Sequence, residues 1–269
     1  MTDPRTALLS ALLDDLAAES ADLDARVAPL SDAWFTPTPA EGWDIRDTVN
    51  HLRLFDRDAL LAVTDPAGFG VLLESLASGA GDYVESRTVE GRATSPAEVL
   101  ADWRSGREAL AGALRAVDPT VRVPWFGPPM SPASFVTARL METWAHGQDV
   151  VDALGQDRPA TPRLRSVAEI GVRARPFSYA VRGLPMPDRP VRVELTGPDG
   201  DLWTWGPDDA PDVVRGSALD FCLLVTQRRH RSDLDLAVSG PAAAEWTGIA
   251  QAFAGPPGGG RQPLRGAGS

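Results

Sequence analysis

Hydrophobic residues recur every three or four positions through most of the first 155 residues, a spacing typical of α-helices that bury one face. This periodicity predicts a first helix over residues 5–28 and a second helix over residues 44–63. A proline that follows Asp65 begins a third predicted helix, which reaches Gly79 and can extend to Val84. The amino-terminal part of the chain is therefore predicted to be a helical bundle.

Capping residues mark where several of these helices begin and end. Asp44 is a suitable N-cap for the second helix. The segment Ser95-Pro96-Ala97-Glu98 is a capping box with proline at the first helical position, and it predicts a helix that continues to Val117. Ser131, also followed by proline, begins another helix. That helix ends at Gly155, because glycine readily adopts the left-handed conformation that closes a helix.

The periodicity changes in the last third of the chain. A helix is predicted from residue 161 to 181 or 183, and alternation over residues 191–195 and 202–205 around a Pro-Asp-Gly turn then predicts a β-hairpin. A helix over 217–227, a strand over 234–238 and a last helix that carries Trp246, Ile249 and Phe253 complete the expected elements. We therefore expect an α+β protein with a helical domain over residues 1–156, a smaller α/β domain over 157–255 and a disordered tail over 256–269.

Composition and charge narrow the classes of partner. The net charge is −11, which argues against nucleic acid or an anionic membrane surface as the main partner. No apolar run approaches the roughly 18–20 residues of a membrane span, and the N-terminus lacks the features of a signal peptide, so we expect a cytoplasmic protein. The one cysteine, Cys222, excludes an internal disulfide and is expected to be a buried small hydrophobe. All 26 basic residues are arginine, which excludes Schiff-base chemistry on lysine.

Two of the three histidines in the chain lie on predicted helices that could form a metal site. Glu142 and His146 are four residues apart, so a helix places both on one face about one turn apart. His51 lies within the second predicted helix. Two imidazoles and a carboxylate are a common ligand set for zinc, nickel, manganese or iron(II). We therefore predict a divalent metal site at these three residues, although a surface salt bridge and space-filling histidines would produce the same pattern.

Other polar and aromatic residues allow more than one interpretation. Asp149 is expected to orient a ligand histidine, to pair with Arg139 or to face solvent. The basic run Gln227-Arg228-Arg229-His230-Arg231 could bind a substrate carboxylate, or it could satisfy the carboxyl end of a helix. The loop Pro124–Met130 contains Trp125 and Phe126, which could line a pocket or anchor the loop.

Two segments of the chain resemble motifs of a known family. Residues 42–52, with the sequence GWDIRDTVNHL, and residues 142–149, with the sequence ETWAHGQD, resemble the paired motifs of the mycothiol-dependent maleylpyruvate isomerases. That family lies within the DinB-like superfamily of metal-binding four-helix bundles. The resemblance covers the amino-terminal 155 residues and extends more loosely to the carboxyl-terminal part. It implies an up-down four-helix bundle followed by a small α/β domain.

The resemblance also implies roles for particular residues. His51, Glu142 and His146 would be the three ligands of a zinc-like ion, with the fourth position taken by water or by the thiolate of mycothiol. An arginine of the carboxyl-terminal domain would hold a substrate carboxylate, and the nearest matches are Arg228 and Arg229, beside His230. The Gln-Arg-Arg-His segment departs from the isomerase pattern, so the substrate need not be maleylpyruvate.

The function that we predict is metal-dependent activation of mycothiol, of another small thiol or of water. The reaction would be isomerisation, addition or S-transfer on a small electrophilic substrate, carried out by a monomer or homodimer. Two alternatives stay open: a thiol-independent metalloenzyme of secondary metabolism, such as a lyase, cyclase or hydrolase, and a non-catalytic protein that binds a metal or another ligand.

Overall fold

The computed structural model describes residues 3–78 and 83–264, and the chain divides into two compact units between Asp157 and Arg158. The first unit is helical, and the second contains a four-stranded sheet with helices. The fold is therefore α+β, as the change of hydrophobic periodicity predicts. Among the helices of the described residues, none combines the length and the apolar character that a membrane span needs.

Four long helices make up the bundle of the first unit. Its helices are α1 (Pro4–Val27), α2 (Ile45–Thr64), α3 (Pro66–Ser78), α4 (Tyr83–Gly91), α5 (Pro96–Ala116) and α6 (Pro132–Leu154). Helix α2 packs against α5 and α6, and α1 packs mainly against α6. The long helices α1, α2, α5 and α6 are thus the four helices of the bundle, whereas α3 and α4 form the connection between α2 and α5.

The predicted caps of the bundle helices are confirmed. Asp44 accepts a hydrogen bond from the backbone N–H of Asp47 at 2.8 Å, and the Asp47 side chain accepts one in return from the N–H of Asp44. Ser95 and Glu98 form the second capping box. Gly155 follows α6 with φ of 59°, the left-handed conformation expected of it. The caps at Asp44 and Gly155 fix the start of α2 and the end of α6, the two helices that carry the predicted metal ligands.

The connection between α2 and α5 differs from the prediction. The third helix was expected to reach Gly79 and to extend at most to Val84. Helix α3 is described as far as Ser78, the predicted end at Gly79 lies outside the described residues, and helix α4 continues past Val84 to Gly91. Within α4 only Thr88 and Gly91 are buried. Because so few of its side chains face the core, α4 has little apolar periodicity and the pattern does not reveal the helix.

The buried core of the first unit contains two apolar clusters. One is centred on Leu13, Phe69 and Phe135, and the other on Val49, Trp103 and Val150. Asp56 and Arg139 are also buried in the bundle, where they form an ion pair at 2.9 Å that joins α2 to α6. Trp103 donates from its indole nitrogen to Asp56 at 3.1 Å, which joins α5 to the same pair.

The sheet of the second unit has the strand order β2-β1-β3-β4. Its strands are β1 (Val191–Thr196), β2 (Leu202–Trp205), β3 (Asp212–Ser217) and β4 (Leu236–Ser239), and its helices are α7 (Leu164–Arg173), α8 (Arg175–Ala180), α9 (Ala218–Val225) and α10 (Pro241–Ile249). The predicted hairpin is confirmed, because β1 and β2 pair antiparallel. Strand β3 was not predicted. It pairs parallel with β1 and antiparallel with β4, contacts that are distant in sequence and leave little local signal.

Three element boundaries in this unit differ from the prediction. The expected helix over 161–183 is divided into α7 and α8, because Pro176 has no N–H to continue a hydrogen-bonded helix. The last strand, β4, begins at Leu236 rather than at Leu234. The last helix ends at Ile249 and does not include Phe253, because Ala250 has the extended ψ of 134°. Cys222 is buried as predicted, and burial raises the pKa of its thiol.

Candidate metal centre

Three side chains with metal-binding atoms meet between two helices of the first unit. His51 lies on α2, whereas Glu142 and His146 lie one turn apart on α6. One ligand atom from each of the three side chains lies within 4.8 Å of those from the other two. The Nε2 atom of His146 is 3.5 Å from Oε2 of Glu142, and the rings of His51 and His146 have centroids 4.6 Å apart. The structure thus brings together the three residues that the sequence singles out, and we call them the triad.

The donor set and the spacing of the triad fit a divalent metal ion. Two imidazole nitrogens and one carboxylate oxygen are ligands that zinc and similar ions accept. Metal–ligand bonds of about 2.1 Å in a tetrahedron place neighbouring ligand atoms roughly 3.4 Å apart. The 3.5 Å between His146 and Glu142 is close to that separation. Three ligands would leave at least one position for water, a thiol or substrate.

The Glu142 carboxylate is in the ionised form that an anionic metal ligand requires. Burial by itself raises the pKa of Glu142, but the hydrogen bond to His146 and the positive charges of His146, His51 and Arg139 outweigh it and lower the pKa to about 2. Glu142 is therefore ionised at neutral pH and needs to lose no proton before it binds a cation. Its side chain keeps 22% of its surface exposed, so the triad is reachable from solvent.

A buried carboxylate lies on the other side of the His146 ring. The Oδ2 atom of Asp149 is 3.4 Å from Nδ1 of His146, and the Asp149 side chain is completely buried. Because Nε2 faces Glu142 and Nδ1 faces Asp149, the geometry assigns Nε2 as the atom available to a metal. A carboxylate near the second nitrogen favours a proton at Nδ1. Of the alternatives open for Asp149, the structure thus places it beside a histidine of the triad.

Arg139 pairs with a different carboxylate from the one considered in the sequence. It lies three residues before Glu142 on α6, and its Nε atom donates to Oδ1 of Asp56 at 3.1 Å. Burial raises the pKa of Asp56, and the charge and hydrogen bond of Arg139 oppose that rise. The pair lies in the interior of the bundle, so it fixes α2 and α6 close to the triad.

Aromatic rings surround the imidazoles of the triad. Trp43 stacks on His146 with centroids 6.0 Å apart and also contacts His51 at 5.2 Å. Phe55 lies one turn after His51 on α2, with ring centroids 4.4 Å apart. Sequence reasoning did not single out Trp43 or Phe55 as site residues. The signal was present for Phe55, since a spacing of four residues on a predicted helix places it beside His51.

The predicted arginine clamp belongs to the second unit, at the end of α9. Arg228 donates from Nη1 to the carbonyl of Thr226 at 2.7 Å, and Arg229 donates to the carbonyl of Arg228 at 2.8 Å. His230 is exposed, and its Nδ1 lies 2.7 Å from the hydroxyl of Ser232. These contacts fit cations that satisfy carbonyls near a helix end. The catalytic role of Arg228, Arg229 and His230 stays a prediction.

Comparison with known proteins agrees with this architecture. A crystal structure of the mycothiol-dependent maleylpyruvate isomerase aligns over 86% of this chain and 92% of its own, with a TM-score of 0.58 and 16% sequence identity. A histidine-to-alanine variant of that isomerase aligns over the same shares with a TM-score of 0.57 and 16% identity. At this level of identity the likeness establishes a common fold.

Sequence comparison is more specific. Two proteins from strains of Mycobacterium tuberculosis, both described as uncharacterized, are 56% identical to the chain over 248 residues, which cover 92% of this chain and 96% of each relative. Residues 187–237 match a family described as wyosine base formation. Residues 16–151, about half of the chain, contain the whole triad and match the family described as mycothiol maleylpyruvate isomerase N-terminal domain. The chain therefore belongs to the mycothiol maleylpyruvate isomerase N-terminal domain family.

Proposed function

We propose that the protein is a metal-dependent enzyme that uses mycothiol, or a closely related small thiol, to isomerise an electrophilic substrate or to add to it. The observation that carries the proposal is the convergence of ligand atoms from His51, Glu142 and His146 within 4.8 Å of one another. Family membership supports the thiol, because the related isomerase is described as mycothiol-dependent. The proposed ion is zinc, with nickel, manganese or iron(II) as alternatives.

The residues of the triad and those around it have separate roles in the proposed site. A bound divalent ion would supply Lewis acidity, which lowers the pKa of a thiol or water and favours the nucleophilic anion at neutral pH. Glu142 contributes the one negative charge among the proposed ligands, and its low pKa keeps that charge in place. Asp149 lies on the Nδ1 side of the His146 ring, whereas Nε2 faces Glu142. Trp43 and Phe55 flank the imidazoles.

A substrate clamp from the second unit is part of the proposal. Arg228 or Arg229 would bind a carboxylate of the substrate, since a guanidinium donates two parallel hydrogen bonds to a carboxylate. His230 lies next to them on an exposed turn.

The thiol dependence can be tested directly. Protein reconstituted with zinc, nickel, manganese or iron(II) would be incubated with maleylpyruvate and with a set of conjugated enones, each with and without mycothiol. We expect turnover that requires both metal and thiol and that is lost in His146→Ala. Turnover with metal but without thiol would instead identify a thiol-independent lyase, cyclase or hydrolase. Bound metal without any turnover would favour a binding protein.

A further inference from the structure

We infer that the site takes a substrate with an aromatic or extended apolar group, and that this group binds along Phe55, Tyr83, Trp125 and Phe126. We call these four residues the aromatic wall. The inference rests on the proposed function, because it names the class of substrate that would reach the triad. It differs from what the name of the related isomerase suggests, since maleylpyruvate is a small dicarboxylate.

The aromatic wall is continuous with the triad. Phe55 contacts His51 at 4.4 Å on one side, and on the other side it lies 5.6 Å from Phe126, 6.1 Å from Tyr83 and 6.4 Å from Trp125. These separations are in the range of direct aromatic contact. A substrate atom bound at the triad would therefore lie no farther from the aromatic wall than about the length of one aromatic ring.

Separate segments of the first unit supply the four rings. Phe55 comes from α2, Tyr83 begins α4, and Trp125 and Phe126 come from the loop before α6. Tyr83 and Phe126 have centroids 5.8 Å apart, and Trp125 and Phe126 have centroids 4.8 Å apart. Side chains from three parts of the sequence thus form one aromatic surface, a feature that packing within a single helix would not produce.

The aromatic wall differs from the core rings behind it in its exposure. Phe69 and Phe135 are buried, with 0% and 1% of their surface exposed, and both contact Trp125. All four residues of the aromatic wall are only half-buried. Trp125 and Phe126 pack against this core with part of their surface, and the part that stays exposed is apolar surface that a ligand can cover.

Asp58 already pairs with two of the polar groups close to the aromatic wall. The Tyr83 hydroxyl donates to Asp58 at 2.7 Å, and Arg87 lies 3.9 Å from the same carboxylate. An apolar group that binds here needs to displace neither contact, whereas a substrate carboxylate would compete with Asp58 for Arg87.

The chemistry that follows is conjugate addition to an aryl-substituted enone. The sulfur of the thiolate forms a bond to the β-carbon, the π electrons of the C=C bond move towards the carbonyl, and the α-carbon then takes a proton from water. Benzylideneacetone is a suitable substrate probe, and ethylideneacetone is its matched control, because a methyl group replaces the phenyl group while the enone is the same. The catalysed rate of each is divided by its uncatalysed rate with mycothiol, since the two enones differ in intrinsic reactivity.

Binding without reaction gives a second readout that needs no thiol. Benzylacetone and methyl propyl ketone are the saturated counterparts of the two enones, and their affinity for the metal-loaded protein can be measured by ligand-observed NMR. We expect benzylacetone to bind at least about tenfold more tightly, and the corrected kcat/KM to favour benzylideneacetone by a similar factor. Phe126→Ala should reduce both preferences about fivefold, which is the size of the loss of one aromatic contact.

Controls separate loss of the aromatic wall from loss of fold or metal. Phe126→Leu removes the ring with less change of volume, so it serves if Phe126→Ala does not fold. Phe35→Ala removes a ring that is 51% exposed and lies 5.3 Å from the Arg46 guanidinium, and it should keep the preference for the phenyl compounds. Metal content, measured in every variant, should stay equal to that of the wild type.

Two results would overturn the inference. Equal affinity of the folded wild type for benzylacetone and methyl propyl ketone would show that the aromatic wall binds no aryl group. A rise in KM for mycothiol in Phe126→Ala, with an unchanged phenyl-to-methyl preference, would show that the aromatic wall contacts the thiol. If the protein binds no metal or turns over no enone while benzylacetone still binds selectively, the proposed function fails and the aryl site stands.

Discussion

The carboxylate behind His146 gives a quantitative test of the metal centre. Asp149→Asn keeps the size of the side chain but removes the charge that lies 3.4 Å from Nδ1 of His146. Loss of such a carboxylate behind a ligand histidine costs about 10–100-fold in metal affinity. The amide oxygen of asparagine can still accept a hydrogen bond from Nδ1–H, so we expect the lower part of that range. The loss should be about tenfold in Kd, or about 1.4 kcal/mol.

The chain offers a matched control on the same helix. Asp152 lies three residues after Asp149, and its Oδ1 accepts a hydrogen bond from Gln148 Nε2 at 2.8 Å. Asp152→Asn makes the same chemical change on the same helix, away from the His146 ring. It should therefore change the metal affinity by less than about twofold.

The assay is competition for zinc between the protein and a chromophoric chelator of known affinity at neutral pH. Thermal unfolding of the metal-free proteins would show whether Asp149→Asn also alters the fold, since Asp149 is completely buried. Equal zinc affinity of Asp149→Asn and wild type would refute the role of Asp149 in orienting His146. An equal loss in both variants would show a general effect of charge on α6.

Three further predictions concern the fold and the second unit. Asp56→Ala should lower the free energy of unfolding, measured by urea denaturation, by about 3–5 kcal/mol, because it leaves the buried guanidinium of Arg139 without its counter-charge. The double variant Asp56→Leu/Arg139→Met should recover most of that loss. A double variant whose loss equals the sum of the two single losses would contradict this. Burial raises the pKa of Asp212, but backbone N–H groups at the start of α10 and an arginine lower it below its ordinary value. The ionised Asp212 therefore stabilises the fold fully above an unfolded-state pKa of about 3.9, and this stabilisation is lost as the pH falls through the folded-state pKa. Asp212→Asn should thus reduce the fall of Tm with decreasing pH below about pH 5. An unchanged dependence of Tm on pH in that range would refute this role of Asp212. Arg228→Ala with Arg229→Ala should raise KM for a carboxylate-bearing substrate and leave metal content unchanged, and unaltered kinetics would reject the clamp.

The parts of the fold that could be predicted are those with local causes. Hydrophobic periodicity and capping residues predict the bundle helices, because a helix depends on contacts within a few residues. The positions of His51, Glu142 and His146 follow for the same reason: each lies on a helix whose phase is set by neighbouring residues. Their convergence needed only that the two helices pack together, which the structure shows.

The parts that could not be predicted depend on contacts between distant residues. Strand β3 is defined by pairing with β1, from which β2 separates it in the sequence, and with β4, which follows only after α9. The aromatic wall is likewise a product of tertiary packing, since nothing local indicates that Phe55 and Phe126 meet at 5.6 Å. The pair between Asp56 and Arg139 spans 83 positions, and the sequence suggested Asp149 for Arg139 instead. Long-range polar pairs leave no periodic pattern, so a single sequence does not reveal them.

Metal content decides whether the triad is a metal centre. Protein purified without chelators or a metal-affinity tag would be analysed for bound elements, next to a His51→Ala variant prepared in the same way. We predict about one divalent ion per chain in the wild type, in line with the one ligand set found among the described residues, and a large loss in the variant with its helical content retained. No metal in the wild type after reconstitution with zinc, nickel, manganese and iron(II), or equal metal in both proteins, would contradict the proposed site.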